Sequence, residues 1–434
     1  MNTTAQTGSR QARPAEVDEA ARRAVASACP ASDAGELDAV DGVQAALVAS
    51  PTTADQVAEL MRACAAHDLA VVVRGHGTKL TWGRPPERAD VIADLSGMDQ
   101  VLDHAAGDLV AATQAGTRLA DLQKVLAEQG QRLSVDETVP GASIGGTLAT
   151  ATSGPTRLAV GTPRDLLIGI TVVRADGVVA KAGGRVVKNV AGYDLGKLMV
   201  GSFGTLAVVV DAHFRLHPLP AERRHLGVPI ESADHAYQVA QAVLHAQVVP
   251  AAVEVDWPSR GAGTLTVQLA GIPEGVAGRT ATALELLGDA VTEDPTPPEW
   301  WGSYPWMDTT VDAIGARATA LKLTFALSGL PAVLAAARDT PGAPVTLRGS
   351  AGVGVVYGAI APDCPVEAVR EAVGRLRDTC TAHGGSLVVL DAASEVKQEV
   401  DTWGPVSGLD LMRRVKHEFD PGRRLAPGRF VGGI

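Results

Sequence analysis

The chain has 434 residues, enough for two or three domains, and its 46% hydrophobic and 20% charged residues suit globular domains with packed cores. Its 49 acidic against 38 basic residues give a formal net charge of −11, which argues against a nucleic-acid partner because phosphate contacts need a basic face. Aromatic residues make up only 3%, so the cores are expected to be mostly aliphatic.

Residues 1–35 are polar, Ala-rich and poorly patterned, and read as a mobile tail with one short helix at most. No apolar run sits between a basic start and a cleavage site, and no stretch approaches a membrane span in length. The expected location is the cytoplasm, with any attachment at the periphery of the inner membrane made through partners. A domain covering 36–220 follows. Pro51 opens a helical stretch in which Val57, Leu60, Met61 and Cys64 share one face. The apolar run Ala70–Val73 reads as a buried strand that feeds a Gly-rich loop. Leu119, Leu122, Val125 and Leu126 mark a helix over 117–129 that Gly130 stops. Residues 139–165 lack periodicity, and a loop that long in a compact domain is usually functional. Strands are expected near 168–173, 178–182 and 205–216, with Arg174–Gly177 as the hairpin turn between the first two.

The stretch HPLPAERR, 217–224, marks a boundary. A second domain, 221–415, contains VEVDW and TLTVQLA as strands and 276–287 as a helix. It then runs strand, helix, strand, strand, helix, strand from ALKLTFAL to SLVVL, the split βαβ order of ferredoxin-like sheets. No tandem sequence repeat is evident. The final segment, 416–434, is basic and turn-rich. Cys29, Cys64, Cys364 and Cys380 form no C-x-x-C pair, so reduced structural thiols are expected, with no iron–sulfur cluster on this chain.

Three blocks carry chemistry. In the first, Arg74, Gly75, His76, Gly77, Thr78 and Lys79, the glycines allow backbone N–H groups to approach an anion, while Thr78 adds a hydroxyl and Lys79 a charge. Taken alone it reads more readily as an ordinary Gly-rich turn. The second, Pro140–Thr147, adds small residues and further N–H groups, or is simply a surface loop. The third joins Lys188–Leu195 to Gly201–Leu206, or is a helix ending at a Gly turn.

Together, in this order, the blocks resemble the FAD-binding domain of the vanillyl-alcohol-oxidase, or PCMH-type, flavoproteins over residues 40–220. Residues 183–209 are similar to the FAD-binding subunits of glycolate oxidases, and DPGRRLAPGRF resembles the C-terminal turn that returns to the flavin. The resemblance implies an α+β fold with a two-part PCMH-type FAD-binding domain and a ferredoxin-like cap. By position it implies that Arg74, Gly75, His76, Gly77, Thr78 and Lys79 hold the FAD pyrophosphate. Pro140, Ser143, Gly145, Gly146 and Thr147 would line the phosphate, ribose and flavin region, with Arg164 and Asp165 close by. Gly204, Thr205 and Leu206 would give backbone contacts to the adenine end, and Arg429 would reach the flavin.

Relatives that tether FAD from the first loop use a His where Thr78 stands, so non-covalent FAD is expected. The related catalytic dehydrogenases tend to carry an acid at Phe203 and Asn at Ala426. They also carry a Gly-Asp-Gly-Asn-x-His segment with a further acid–His pair in the cap. Here the cap holds only scattered His225, His235, His245 and His383, and His417 lies beyond it. The implied role is therefore an FAD-binding subunit of a glycolate oxidase complex, with a catalytic FAD subunit and an iron–sulfur subunit as partners. A self-sufficient FAD oxidoreductase on another alcohol or hydroxy acid, and a non-catalytic assembly subunit, remain as rival readings. No metal ligand set and no catalytic residue is assigned.

Overall fold

A computed structural model describes residues 17–184, 194–307 and 317–434 of the chain. The first domain holds two sheets. One contains β1 (Ala31–Asp33), β2 (Leu47–Ala49), β3 (Val71–Arg74) and β4 (Val91–Asp94) in the order β1-β2-β4-β3, with β2, β4 and β3 parallel. The other contains β5 (Val101–Ala105), β6 (Val110–Gln114), β7 (Leu167–Val173), β8 (Val179–Gly183) and β9 (Val208–Arg215), antiparallel in the order β8-β7-β9-β6-β5. Helix Ala54–Ala66 begins at Thr53, whose side chain accepts from the N–H of Gln56, and buries Val57, Leu60, Met61 and Cys64.

The amino end departs from the expected mobile tail. From Val17 onward it is folded: helix Glu19–Ala28 starts at Asp18, which caps the N–H of Ala21, and β1 pairs with β2. Ala21 and Val25, four residues apart, are buried in the core. An apolar face of Ala and one Val gives too weak a periodic signal to be read from sequence. The stretch 139–165 is likewise more regular than expected, with short helices Ile144–Thr150, Arg157–Val160 and Pro163–Leu166. Thr162 and Asp165 form a capping box for the last of these.

The cap is a single eight-stranded antiparallel sheet built from two ferredoxin-like halves. The first half is β10 (Glu222–Ile230), helix Ala233–His245, β11 (Ala252–Trp257), β12 (Gly263–Gly271), helix Pro273–Leu287 and β13 (Thr292–Asp294). The second repeats that order: β14 (Thr319–Thr324), helix Leu330–Arg338, β15 (Val345–Ser350), β16 (Val355–Ile360), helix Val366–Ala382 and β17 (Ser386–Asp391). The sheet order is β13-β10-β12-β11-β15-β16-β14-β17, so β11 and β15, the second strand of each half, join the halves. The duplication is invisible as sequence repetition because alternation and helical periodicity suffice to build each half.

The four long cap helices share one core with the Val253, Val255 and Trp257 side of the sheet. Period-2 alternation turns Glu254 and Asp256 to the opposite side. There, an aromatic cluster that includes Trp82 and Phe203 of the first domain and Tyr304 and Tyr357 of the cap closes the domains together. Thr138 donates to Tyr304 Oη across this junction at 2.9 Å.

Candidate functional site

β3 ends at Arg74, directly opposite Asp94 in register. The Arg74 guanidinium meets Asp94 Oδ2 and Asp38 Oδ1, each at 2.7 Å. Its hydrogen bond holds the Asp38 carboxyl below the usual carboxylate range. Arg74, expected to face a phosphate, has its charge matched by two carboxylates and anchors the base of the loop.

The loop beyond it presents a row of backbone donors. Among the described residues, the backbone N–H groups of Gly75, His76, Gly77, Thr78 and Lys79 have no protein acceptor. Gly77 has φ +75°, which a branched side chain tolerates poorly. His76 Nε2 lies 2.9 Å from the carbonyl of Gly116 and ties the loop to its neighbour. Lys79 is 6% exposed, and its ammonium contacts Thr78 Oγ1 at 3.3 Å. Burial pushes its pKa down to about 8, with Glu137 opposing, and no described carboxylate lies within ion-pairing distance. Buried cations without a counter-charge are costly, so Lys79 is available to an anion in the cleft.

The second block forms the facing wall. A Cβ on Gly75 would collide with Ser143 Oγ, and one on Gly146 would sit 3.8 Å from Lys79 Nζ. The close approach at Gly75 requires glycine, whereas a Cβ at Gly146 would make only ordinary contact with Lys79. Four N–H groups of this block are, however, already used: Ile144 donates to Thr117 O, Gly145 to Ala115 O, Gly146 to Ser143 Oγ and Thr147 to Ser143 O. They shape the wall and do not add free donors.

The C-terminal segment closes the site. Leu425 makes a parallel bridge to Val71. Lys416 and Asp420 form a buried pair at 2.7 Å, and Asp420 also accepts from the N–H groups of Arg424 and Leu425. Arg429, 5% exposed, donates through Nη2 to the carbonyls of Leu80 at 2.6 Å, Lys79 at 3.1 Å and Trp82 at 3.2 Å. Burial lowers its pKa to about 10. It holds the end of the Gly75–Lys79 loop through those carbonyls.

The resulting cleft encloses about 770 Å³, counting space open to solvent. It brings together Arg74, Gly75, His76, Gly77, Thr78, Lys79, Ser143, Gly145, Gly146, Gly204 and Arg429. Other expected residues lie outside its wall. Pro140 is exposed, and Thr147 is buried with a hydroxyl that has no partner. Thr205 is buried with its hydroxyl bonded to Ser202 O, and Leu206 packs in the core. Arg164 and Asp165 are exposed, and the capping of Thr162 accounts for the Asp165 carboxylate. Lys188–Tyr193 falls outside the described residues. Sequence reasoning missed Leu95, Ala115 and Val209 on the wall, since small and aliphatic residues far apart in the chain carry no local signal.

Pairing-free donors in series, a buried ammonium and a long cleft fit the pyrophosphate of a dinucleotide. Residues 45–183 match the family described as FAD binding domain, and residues 351–430 match the C-terminal domain of FAD linked oxidases. Glycolate oxidase subunit GlcD of Bacillus subtilis is 27% identical over 417 residues, covering 88% of each chain. An uncharacterized FAD-linked oxidoreductase of Mycobacterium tuberculosis is 27% identical over 426 residues, covering 89% of this chain and 91% of its own. Among solved structures, p-cresol methylhydroxylase with substrate bound superposes with a TM-score of 0.68 at 17% identity, covering 89% of both chains, a likeness of fold. The chain is an FAD-dependent oxidoreductase with an FAD binding domain at residues 45–183 and the C-terminal domain of FAD linked oxidases at residues 351–430.

Proposed function

We propose that the chain holds FAD non-covalently and serves as the FAD-binding subunit of a glycolate-oxidase-type complex. The observation that carries the placement of the cofactor is the run of unpaired N–H groups at Gly75–Lys79, backed by the buried Lys79 ammonium. When bound, FAD supplies hydride and electron-transfer chemistry, and the protein supplies position and charge. The loop takes the pyrophosphate, Lys79 compensates its charge, and Gly204 borders the adenine end. Arg429 keeps the loop from opening. Thr78, at the tethering position, offers no imidazole for a covalent link.

The substrate half of the reading rests on the glycolate oxidase subunit that aligns with 88% of this chain. Electrons would leave through a catalytic FAD subunit and an iron–sulfur subunit. Burial pushes the Cys64 and Cys380 thiols up to about 12, which makes them poor thiolate ligands for a relay on this chain. The test is glycolate-driven dye reduction by this chain alone, by its partners alone and by the mixture. Only the mixture should be active. Equal activity of the lone chain would favour a self-sufficient oxidoreductase, and a colourless chain that still binds the two partners an assembly role. Acid precipitation should release all the flavin; flavin retained in the washed pellet would contradict non-covalent binding.

A further inference from the structure

Residues 75–90 join β3 to β4 without helix or strand, so the carbonyls at the exit of the Gly75–Lys79 loop have no sheet ladder to bond them. Two buried cations take four in succession. Arg429 Nη2 donates to those of Lys79, Leu80 and Trp82, and Lys397 Nζ donates to that of Thr81. The cap adds two more contacts. The Thr81 hydroxyl donates to Asp391 Oδ2 at 2.6 Å, and the N–H of Gly83 donates to the carbonyl of Leu390 at 2.8 Å.

Lys397 belongs to helix Ser394–Glu399, which follows β17 of the cap, and lies off the wall of the cofactor cleft. Its ammonium has three hydrogens and meets three acceptors: Thr81 O, Asp41 Oδ2 at 2.7 Å and Asp391 Oδ1 at 3.1 Å. Asp41 lies between β1 and β2, three residues after Asp38, the partner of Arg74. Both ends of the loop are thus tied back to residues 38–41. The start is tied through Arg74 and Asp38, within the first domain. The end is tied through Thr81, Lys397 and Asp41, by way of the cap.

Charge acts in the same direction. Asp41 and Asp391 each pair with both Lys397 and Arg317. Burial lowers the Arg429 pKa, and the same two carboxylates oppose it. Two carboxylates therefore serve three cations, which leaves the exit of the loop positive and favours an anion on the loop itself.

We propose that Lys397 is a positioning residue for the cofactor, and that through it cap docking and FAD binding strengthen each other. The coupling rests on the proposed FAD pyrophosphate seat at Gly75–Lys79. A docked cap holds the loop exit, and so keeps the row of N–H groups in place for the anion. An anion that fixes the loop fixes Thr81 in turn, and with it the grip on Lys397 and Asp391. Coupling of this kind is reciprocal. A contact that only stabilised the fold would change the stability of flavin-free protein and leave FAD affinity unaltered.

The test uses the full chain. Fluorescence titration of flavin-free protein gives the FAD dissociation constant, and hydrogen exchange with and without FAD reports on residues 386–399 of the cap. FAD should slow exchange there in wild type. Lys397→Met should weaken FAD binding at least about fivefold, the low end for coupled sites, and lose the FAD-dependent protection. Thr81→Val removes only the hydroxyl that meets Asp391. It should shift both readouts the same way by less, and it decides the question if Lys397→Met does not fold. Thr138→Val cuts the junction bond to Tyr304 without touching the loop, and should match wild type in both readouts. Absence of FAD-dependent protection in wild type, wild-type FAD affinity in folded Lys397→Met, or an equal loss in Thr138→Val would overturn the coupling. Full FAD retention by Gly77→Val would instead overturn the pyrophosphate seat on which it rests.

Discussion

Lys79 decides how the cofactor cleft responds to pH. With its pKa lowered by burial to about 8, it loses its charge as pH rises through that value in the empty protein. A bound pyrophosphate favours the charged form, so binding takes up a proton above about pH 8. FAD affinity should therefore fall as pH rises past 8, and Lys79→Met should bind FAD more weakly at neutral pH with little dependence on pH; fluorescence titration of released flavin measures both. The loop containing Lys79 was legible as sequence because glycines and a cation lie within six residues. The role of Arg74 was not. Its partners Asp38 and Asp94 lie 36 and 20 residues away, and only the pairing of β3 with β4 brings the second beside it.

At the scale of elements, strong periodicity read correctly. Helix Val366–Ala382 and strands β7, β8 and β16 lie close to where the sequence placed them. Elements with small residues or short length did not announce themselves, as helix Glu19–Ala28 and β13 demonstrate. The C-terminal segment was legible only as a turn-rich stretch resembling one that returns to the flavin; its hydrogen bonds hold it against the end of the Gly75–Lys79 loop. Arg429→Ala would leave the carbonyls of Lys79, Leu80 and Trp82 without their charged donor. The expected cost is about 2–3 kcal/mol from lost hydrogen bonds to a charged group, together with faster FAD release. Denaturant unfolding of the flavin-free protein and the rate of flavin loss check the two effects separately.

For the whole molecule, the relation of cap to cofactor domain rests on a buried ionic junction as well as the aromatic cluster. Lys397 of the cap meets Asp41 at 2.7 Å and Asp391 at 3.1 Å, and Arg317 meets Asp41 at 2.8 Å. The Lys397 and Asp41 side chains are each only 1% exposed. Asp41 has φ +50°, a conformation that Asn also tolerates, so Asp41→Asn tests charge without adding strain. The variant should lose about 3 kcal/mol, the low end for breaking a buried pair, because Asp391 remains beside Lys397. The bipartite plan was legible from the boundary at 217–224, whereas the doubling of the cap was not, since each half obeys the same pattern with different residues.

The most direct test of the cofactor placement is the flavin-to-chain ratio of purified Gly77→Val beside wild type, with Gly42→Val as a control. Gly42 also has positive φ but lies outside the cleft. Wild type and Gly42→Val should carry FAD, while Gly77→Val should lose it and melt near the temperature of flavin-free wild type. The loss of a ligand held at 100 times its dissociation constant removes about 2.7 kcal/mol of apparent stability. Full flavin occupancy in Gly77→Val would contradict an FAD pyrophosphate seated on the Gly75–Lys79 loop.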